Sequence, residues 1–482
     1  MVADPASDAA DGPAGAPSEG WDRGARKRFL VLTGGRAAAQ VLGLVWFLVA
    51  ARMLGETDFG EVVTGLAFFA VFAGVGDLGT TRTVVRHVAA DHRTLASAYR
   101  KAMRLRVAGG LLVGTATAAV VALLPVPVSG WVVLLAGLMA TASGATELAY
   151  AALRAVGRVR AEFWMLLIER LAFLAIGVAI LEAGGGPIAV LGLYLFTNTV
   201  SAVIGTVAVG RAQTGAAVDA GSMVDKEARF TAAGFALVTV SPRIPSILLA
   251  LMASAAAVGA FGVSQRPVEA MTLFALSTAA PVLPIVRSRL IRGLHEDAER
   301  AAISVVGALM LVLAPAVGWF LATPQAVVDL LFGDGRFPGS ATVLRILAFT
   351  SITWAMRGIG EFVLLAEERA PVLFRLTAIG TVVTVLVGVP LILHSDEKGA
   401  ALAVLAAEVV MTVLLARAVP LLVQRKAVPA YAVAAAFLAA SGLTASLLSS
   451  APALVPAVAV VAWTGVAALV AVRQIRGLER MP

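Results

Sequence analysis

The sequence predicts an all-α polytopic integral membrane protein with about fourteen transmembrane helices. Of its 482 residues, 59% are hydrophobic and only 14% are charged, whereas a soluble domain has about 45–50% apolar and about 25% charged residues. Apolar runs of about 20 residues, the length that crosses a bilayer as a helix, recur along nearly the whole chain. The charges are too few to cover a water-facing surface, which excludes a large soluble domain.

The polar N-terminus is expected to be a disordered cytoplasmic tail over residues 1–25. Its small and acidic residues cannot bury a core. The first apolar run begins at Phe29 and is longer than the hydrophobic region of a signal peptide, and no convincing cleavage site follows it. We therefore expect this run to be the first transmembrane helix.

The apolar runs are bounded by Pro, Gly or charged residues and fall into sets of six, six and two. They lie at about 29–51, 62–85, 104–124, 131–153, 161–182, 187–209, 230–252, 255–283, 301–322, 341–365, 372–393, 399–420, 428–448 and 453–473. This pattern predicts an N-terminal six-helix bundle at 26–210, a cytoplasmic linker at 211–228, a C-terminal six-helix bundle at 229–422, and helices 13 and 14 with a short cytoplasmic tail at 423–482.

The basic residues predict the orientation, because cytoplasmic loops are enriched in Lys and Arg. If the N-terminus is inside, most of the 38 basic residues fall in inside segments, and the outside loops hold only Arg52, Arg336 and Lys398. Adding or removing one span near the middle of the chain would move many of these Lys and Arg residues to the outside. The pattern predicts that both termini are cytoplasmic, and it accounts for the net charge of +8 without a nucleic-acid partner.

The two sets of six spans are similar enough to suggest internal repeats. Two pairs of motifs recur at an offset of about 201 residues: Arg28-Phe29 with Arg229-Phe230, and Phe59-Gly60 with Phe261-Gly262. A third match, at an offset of about 211 residues, joins Ala155, Arg158 and Phe163 to Ala366, Arg369 and Phe374. Six spans return the chain to the same side, so these repeats would be parallel. Parallel repeats about the membrane normal are a transporter architecture.

The usual signatures of an enzyme are nearly absent. There is no cysteine, the four histidines form no metal-ligand pair at helical spacing, and no phosphate-binding GxxxxGK[ST] loop occurs. The predicted outside loops are too short for an extracytoplasmic catalytic domain. We expect no catalytic residue, metal or cofactor; a membrane glycan polymerase or glycosyltransferase and a non-transporting scaffold are the less favoured alternatives.

Ionisable residues at membrane depth are the main candidates for function. A charge near the bilayer centre costs at least about 2.5–3.5 kcal/mol on insertion scales, so such residues should face the bundle interior or a wet cavity. Three sequence-local pairs could neutralise each other: Glu169 with Arg170, Arg266 with Glu269, and Arg357 with Glu361. Structural pairing and a functional role are both open for them.

Arg36 and Arg243 have no acidic residue within one helical turn. Arg243 is flanked by Pro242 and Pro245, which break a helix and are tolerated in a membrane where the backbone lines a cavity. We expect the two arginines to face each other across a central cavity, unless either snorkels or pairs with a distant glutamate. A cationic cavity suits an anion, and the guanidinium fork suits phosphate.

A segment of about sixty residues after the first span carries a family signature. Its motifs, with one further match before the fifth span, are Ala51-Arg52-Met53-Leu54-Gly55, Asp58-Phe59-Gly60, Gly76-Asp77-Leu78-Gly79, Arg82 to Arg86, and Ala155 to Arg158. This signature resembles that of bacterial polysaccharide and oligosaccharide flippases of the multidrug/oligosaccharidyl-lipid/polysaccharide exporter superfamily. The C-terminal bundle matches the family only loosely.

The resemblance implies two bundles around a V-shaped central cavity that rock between inward-open and outward-open states in the bacterial cell membrane. It implies a polyprenyl-(pyro)phosphate-linked oligosaccharide whose headgroup crosses through the cavity while its lipid tail stays in the bilayer. Coupling to H⁺ or Na⁺ and association with a glycan polymerase or glycosyltransferases are further expectations. A multidrug exporter and a lipid II flippase are the alternatives of the same architecture.

Together these arguments assign candidate roles. Substrate binding is assigned to Arg36, Gln40, Arg243, Arg266 and Arg357. Ion coupling or counter-ion roles are assigned to Asp77, Glu147 and Glu361, of which Asp77 could equally be a helix-end hinge. Gating is assigned to Arg52, Arg82, Pro242 and Pro245.

Overall fold

A computed structural model describes residues 23–77, 79–213, 216, 218–221, 226–279, 288–289, 292–366, 369–419, 428–449 and 454–479. Helices make up nearly all of these residues, and no strand occurs among them. The predicted tail up to residue 22 and part of the predicted linker lie outside the described residues.

The described residues of the N-terminal half form seven α-helices. They are α1 (Arg23–Leu54), α2 (Glu56–Gly76), α3 (Thr80–Ala90), α4 (Leu95–Leu123), α5 (Gly130–Ala155), α6 (Val159–Glu182) and α7 (Pro187–Gly210). The C-terminal half follows with α8 (Lys226–Val240), α9 (Ile244–Met252), α10 (Ala255–Ala279), α11 (His295–Ala322), α12 (Pro324–Phe332), α13 (Ser340–Ala366), α14 (Ala370–Ala418), α15 (Val428–Leu447) and α16 (Leu454–Glu479). Each predicted span overlaps one or two of these helices.

Ten helical segments among the described residues are long and apolar enough to cross a membrane. One of them, α14, contains two predicted spans, because its backbone leaves helical geometry at Ser395 and Asp396. The sequence-based prediction of an all-α polytopic membrane protein is therefore confirmed.

Some predicted segments differ from the helices that the structure shows. The span predicted at 62–85 is interrupted, because Gly79 adopts a left-handed φ of 75° and ends the helical path between α2 and α3. The loop predicted between the ninth and tenth spans contains the short helix α12, which begins at Pro324 and stops before Gly333, where φ is 98°. Proline at the first helical position and glycine just after the last are ordinary helix limits.

The internal repeat is visible as one contact made twice. A Cβ added to Gly35 of α1 would lie 2.4 Å from the ring of Phe163 in α6, and a Cβ added to Gly234 of α8 would lie 2.2 Å from the ring of Phe374 in α14. The first helix of each half thus packs on the same side of its fifth span, through a glycine and a phenylalanine.

The two halves meet most closely where α2 and α10 begin. A Cβ at Gly60 would lie 1.7 Å from the carbonyl oxygen of Ala255, and one at Gly259 would lie 2.3 Å from that of Glu56. Only glycine permits this approach of two backbones. Beside this contact, Phe47, Phe59, Phe332 and Phe337 form a cluster of edge-to-face rings from both halves.

Candidate anion-binding cavity

A cavity of about 730 Å³ lies between the N-terminal half and α10. Its charged lining residues are Arg36, Glu147, Glu162, Arg170, Arg266 and Glu269. A smaller cavity of about 260 Å³ shares Arg170 and Arg266 with it and adds Arg243. The chain thus brings Arg36, Gln40, Arg243 and Arg266, all predicted substrate-binding residues, to two adjoining cavities between the halves.

Arg36 is held by a glutamate that is distant in sequence. Its Nη2 lies 3.3 Å from Oε1 of Glu162, and Nη1 of Arg154 lies 2.6 Å from the same oxygen. The Glu162 side chain is only 1% exposed, whereas that of Arg36 is 49% exposed. One buried carboxylate therefore orients two guanidinium groups, and Arg36 keeps donors free to face the cavity.

Arg243 and Arg266 share a second glutamate in the same way. Arg243 ends a single 3₁₀ turn, Ser241–Arg243, that separates α8 from α9 at the predicted proline break. Its Nη1 lies 2.9 Å from Oε1 of Glu269, and Nη1 of Arg266 lies 2.9 Å from Oε2. We call each of these sets, two arginines on one glutamate, a cavity triad; of the four arginines, Arg36, Arg243 and Arg266 line a cavity and Arg154 lies behind Glu162.

Aromatic side chains complete the site. The guanidinium of Arg266 lies 4.5 Å from the centre of the Phe47 ring, a distance at which the ring face attracts a cation. Arg170 lines both cavities and lies 3.9 Å from Glu169, which accepts a hydrogen bond of 3.1 Å from the hydroxyl of Tyr150. These contacts fix the orientation of the arginines.

Glu147 differs from the other cavity carboxylates. It lines the larger cavity, is exposed there, and forms no hydrogen bond or ion pair with any residue that the structure describes. Asp77, the other N-terminal acid predicted to act as a counter-ion or hinge, lies at the α2–α3 break and pairs with Arg106 of α4. Asp77 thus has a cationic partner and lies at the break between the two helices.

Arg357 and Glu361 lie apart from the cavities. Nη1 of Arg357 lies 2.9 Å from Oε1 of Glu361, as the sequence spacing suggested, and its Nε lies 3.1 Å from Oε2 of Glu408 on α14. None of the three lines either cavity described above. We call them the C-terminal acidic cluster, because two carboxylates share one guanidinium.

The predicted gating arginines lie at opposite ends of the boundary between the halves. Arg52, at the end of α1, donates to the carbonyl oxygens of Leu331 at 2.8 Å and Leu330 at 2.5 Å, and Arg336 donates to the carbonyl of Arg52. At the other end, the guanidinium of Arg82 on α3 lies 3.5 Å from the ring centre of Phe235 on α8.

Three residues that complete these networks were missed in the sequence. Arg106 and Arg154 were counted only with the basic residues of cytoplasmic segments, and Glu162 lies at the first turn of α6. The signal available for Arg154 and Glu162 was their separation of eight residues across a glycine turn, since Gly157 has a φ of 76°. Such a turn returns the chain and brings both side chains to the same end of two helices.

Comparison with known proteins agrees with this architecture. The family model described as polysaccharide biosynthesis protein matches residues 25–287. No curated protein matches the sequence significantly.

Several solved structures are similar in fold. A lipid II flippase, MurJ, in an inward closed conformation is 12% identical, with a TM-score of 0.64 over 93% of this chain and 98% of that one. An inward-facing multidrug resistance MATE family transporter is 14% identical, with a TM-score of 0.60 over 78% of this chain and 92% of that one. A MOP superfamily transporter from Pyrococcus furiosus is 13% identical, with a TM-score of 0.54 over 83% of this chain and 97% of that one.

At these identities the likeness establishes the fold, which is that of polytopic membrane transporters. The family match covers more than half of the chain and includes the helices that build most of the cavity. The protein is thus a multi-pass membrane protein that belongs to the family described as polysaccharide biosynthesis protein.

Proposed function

We propose that this protein is a flippase that moves a polyprenyl-(pyro)phosphate-linked oligosaccharide from the cytoplasmic to the outer leaflet by alternating access. It would act in the bacterial cell membrane, with both termini in the cytoplasm, and would serve cell-surface polysaccharide biosynthesis. The observation that carries this proposal is the pair of cavity triads, one from each side of the cavity, each with two arginines on one glutamate.

The charge balance of the triads favours an anionic ligand. Two guanidinium groups and one carboxylate leave one positive charge in each triad, and a guanidinium carries five N–H donors. The shared glutamate accepts from one or two of these donors and holds the guanidinium plane in one orientation. The remaining donors suit the oxygens of a phosphate or pyrophosphate, which arginine binds with two parallel hydrogen bonds.

The cavity wall formed by α1 also suits a lipid-linked substrate. Gln40 offers an amide to a sugar hydroxyl, while Val41 and Leu44 present apolar surface beside it. The Val41 side chain is 60% exposed. A headgroup could occupy the polar part while the prenyl chain extends along apolar side chains into the bilayer.

Alternating access is supported by contacts at both ends of the boundary between the halves. The Arg52 and Arg336 hydrogen bonds join α1 to the region of α12, and Arg82 joins α3 to α8. The structure keeps both contacts, and we propose that the inward-open and outward-open states each break one of them. The proline break at Ser241–Arg243, with Pro242 and Pro245, would supply the bend next to the substrate.

The C-terminal acidic cluster is the proposed site of ion coupling. Glu361 and Glu408 carry one more negative charge than Arg357 neutralises, and an uncompensated charge is costly inside a membrane. A proton or Na⁺ would remove that excess. Glu147 is a second candidate, since it lines the cavity without an ionic partner among the described residues.

Transport by purified protein tests the proposal. Proteoliposomes would contain a polyprenyl-diphosphate-linked oligosaccharide with a fluorescent sugar, and its arrival in the opposite leaflet would be measured. Arg36→Gln and Arg243→Gln should abolish flipping while the protein still expresses and folds. Arg300→Gln is the matched control, because Arg300 is exposed and pairs only locally with Asp297. Flipping at the wild-type rate in both cavity variants would contradict the site.

The multidrug exporter alternative would use the same cavity for organic cations. Its aromatic residues, such as Trp46 and Phe47, favour that reading. Against it, two of the cavity carboxylates, Glu162 and Glu269, are each shared by two arginines, which weakens their attraction for a cation. Drug resistance conferred by expression would favour the exporter, and lethality on loss would favour lipid II as the cargo.

Interaction with a polymerase or glycosyltransferases is a further expectation of the flippase proposal.

A further inference from the structure

Arg106 is a deeply buried arginine that no step above uses. Its side chain is 5% exposed and connects three elements of the N-terminal half. From α4 it donates to Asp77 at the α2–α3 break, to the hydroxyl of Thr81 on α3 at 2.8 Å, and to the carbonyl of Gly144 on α5. Its Nε is buried and has no hydrogen-bond partner among the described residues.

The position of α3 depends on this arginine. Gly79 takes the left-handed conformation, and the backbone N–H and hydroxyl of Thr80 both donate to the carbonyl of Asp77, at 2.8 Å and 2.7 Å. The hydroxyl of Thr81 donates to the Asp77 carboxylate at 2.6 Å. The Asp77 carboxylate, which holds the start of α3 against the end of α2, is therefore also the group that Arg106 binds. The position of α3 in turn places Arg82 against Phe235 of the other half.

A second carboxylate lies within electrostatic reach of Arg106. Glu147 is one helical turn beyond Gly144 on α5 and interacts electrostatically with Arg106. It faces the larger cavity, which Arg36, Arg170 and Arg266 also line. An anion on those arginines would repel the Glu147 carboxylate, and the free Nε of Arg106 is a donor that could receive it.

We infer that Arg106 is a positioning residue that exchanges Asp77 for Glu147 when an anion occupies the cavity, and that this exchange releases α3 from α8. The inference rests on the proposed anion-binding cavity. In the empty cavity, Arg106 holds Asp77 and the α3–α8 contact stays closed. With an anion bound, Glu147 draws Arg106 away, the α2–α3 break loosens, and Arg82 leaves Phe235, so the anionic headgroup opens the end of the cavity through which it enters.

The cysteine-free chain allows a direct test. Spin labels on Val85→Cys of α3 and Ala233→Cys of α8, both exposed in the structure, report the separation of the two helices by pulsed electron paramagnetic resonance. Inorganic pyrophosphate is the probe, and its binding is measured separately by calorimetry. The labelled protein should give a short distance without pyrophosphate and a longer one with it.

Two isosteric variants separate the steps. Asp77→Asn should give the longer distance even without pyrophosphate, whereas Glu147→Gln should keep the short distance although pyrophosphate still binds. Glu182→Gln, an exposed carboxylate at the end of α6, is the control and should behave as the parent. A short distance in Asp77→Asn, or lengthening by pyrophosphate in Glu147→Gln, would overturn the inference.

The distance in Asp77→Asn is measured without a ligand, so its result does not depend on whether the proposed function is correct. If pyrophosphate does not bind the parent protein, the anion cavity is wrong, but a long distance in Asp77→Asn still establishes the hold of Arg106 on α3. If pyrophosphate binds and Asp77→Asn stays short, the cavity stands and the role of Arg106 is refuted.

Discussion

The cavity triads and the C-terminal acidic cluster use the same two residue types in opposite proportions. In the triads, Glu162 and Glu269 each serve two arginines and face a cavity. In the cluster, Arg357 alone serves Glu361 and Glu408, away from both cavities. Because an uncompensated charge is costly in the membrane, each arrangement favours an ion of the opposite sign. This difference is the basis of the proposal that the triads bind an anionic cargo and the cluster binds a coupling cation.

Removing the shared carboxylate of a triad should have the largest effect on stability. Glu269→Gln leaves the guanidinium groups of Arg243 and Arg266 side by side, and breaking a buried ion pair costs about 3–5 kcal/mol. The measurement is thermal or denaturant unfolding in detergent. Glu182→Gln serves as the exposed control. An equal, small change in the free energy of unfolding of both variants would show that Glu269 does not offset repulsion between the two arginines.

The same substitution in the C-terminal acidic cluster should behave in the opposite way. Glu408→Gln removes the excess negative charge and leaves Arg357 with Glu361, so stability should change much less than in Glu269→Gln, while the dependence of transport on a proton or sodium gradient is lost. Flipping assays with imposed gradients measure this. Undiminished gradient dependence in Glu408→Gln would remove the cluster from the coupling mechanism.

A smaller effect is expected from a change of geometry at constant charge. Arg36→Lys keeps the positive charge but loses the fork of donors, and should weaken phosphate binding by about tenfold. Stability should hardly change, because Arg36 is half exposed and exposed ion pairs contribute about 0–1 kcal/mol. Binding and unfolding measured on one preparation check both parts. Arg300→Lys is the control.

Much of the fold could be predicted because a membrane restricts it strongly. The lengths of the apolar runs predicted the helices. The intramembrane arginines Arg36, Arg243 and Arg266 do line adjoining cavities. The prolines around Arg243 marked a real helix break. These features follow from local sequence and from the cost of burying charge.

The pairing within the sites could not be predicted in the same way. Glu162 is 126 residues from Arg36, and no local pattern joins them. Arg106 was counted with the basic residues of a cytoplasmic segment, because the apolar run predicted at about 104–124 starts only just before it, whereas α4 begins at Leu95. The two-to-one proportion of arginine to glutamate depends on how helices pack, so it is a property of the tertiary structure alone.

Ligand binding to purified protein tests the central claim most directly. A prenyl diphosphate should bind the parent protein, inorganic pyrophosphate should compete with it, and the matching neutral prenyl alcohol should not. Arg36→Gln and Arg243→Gln should each weaken binding at least about tenfold, because a hydrogen bond to a charged group contributes about 1.5–3 kcal/mol. Equal affinity for the alcohol and the diphosphate, or unchanged binding in both variants, would contradict an anion-binding cavity.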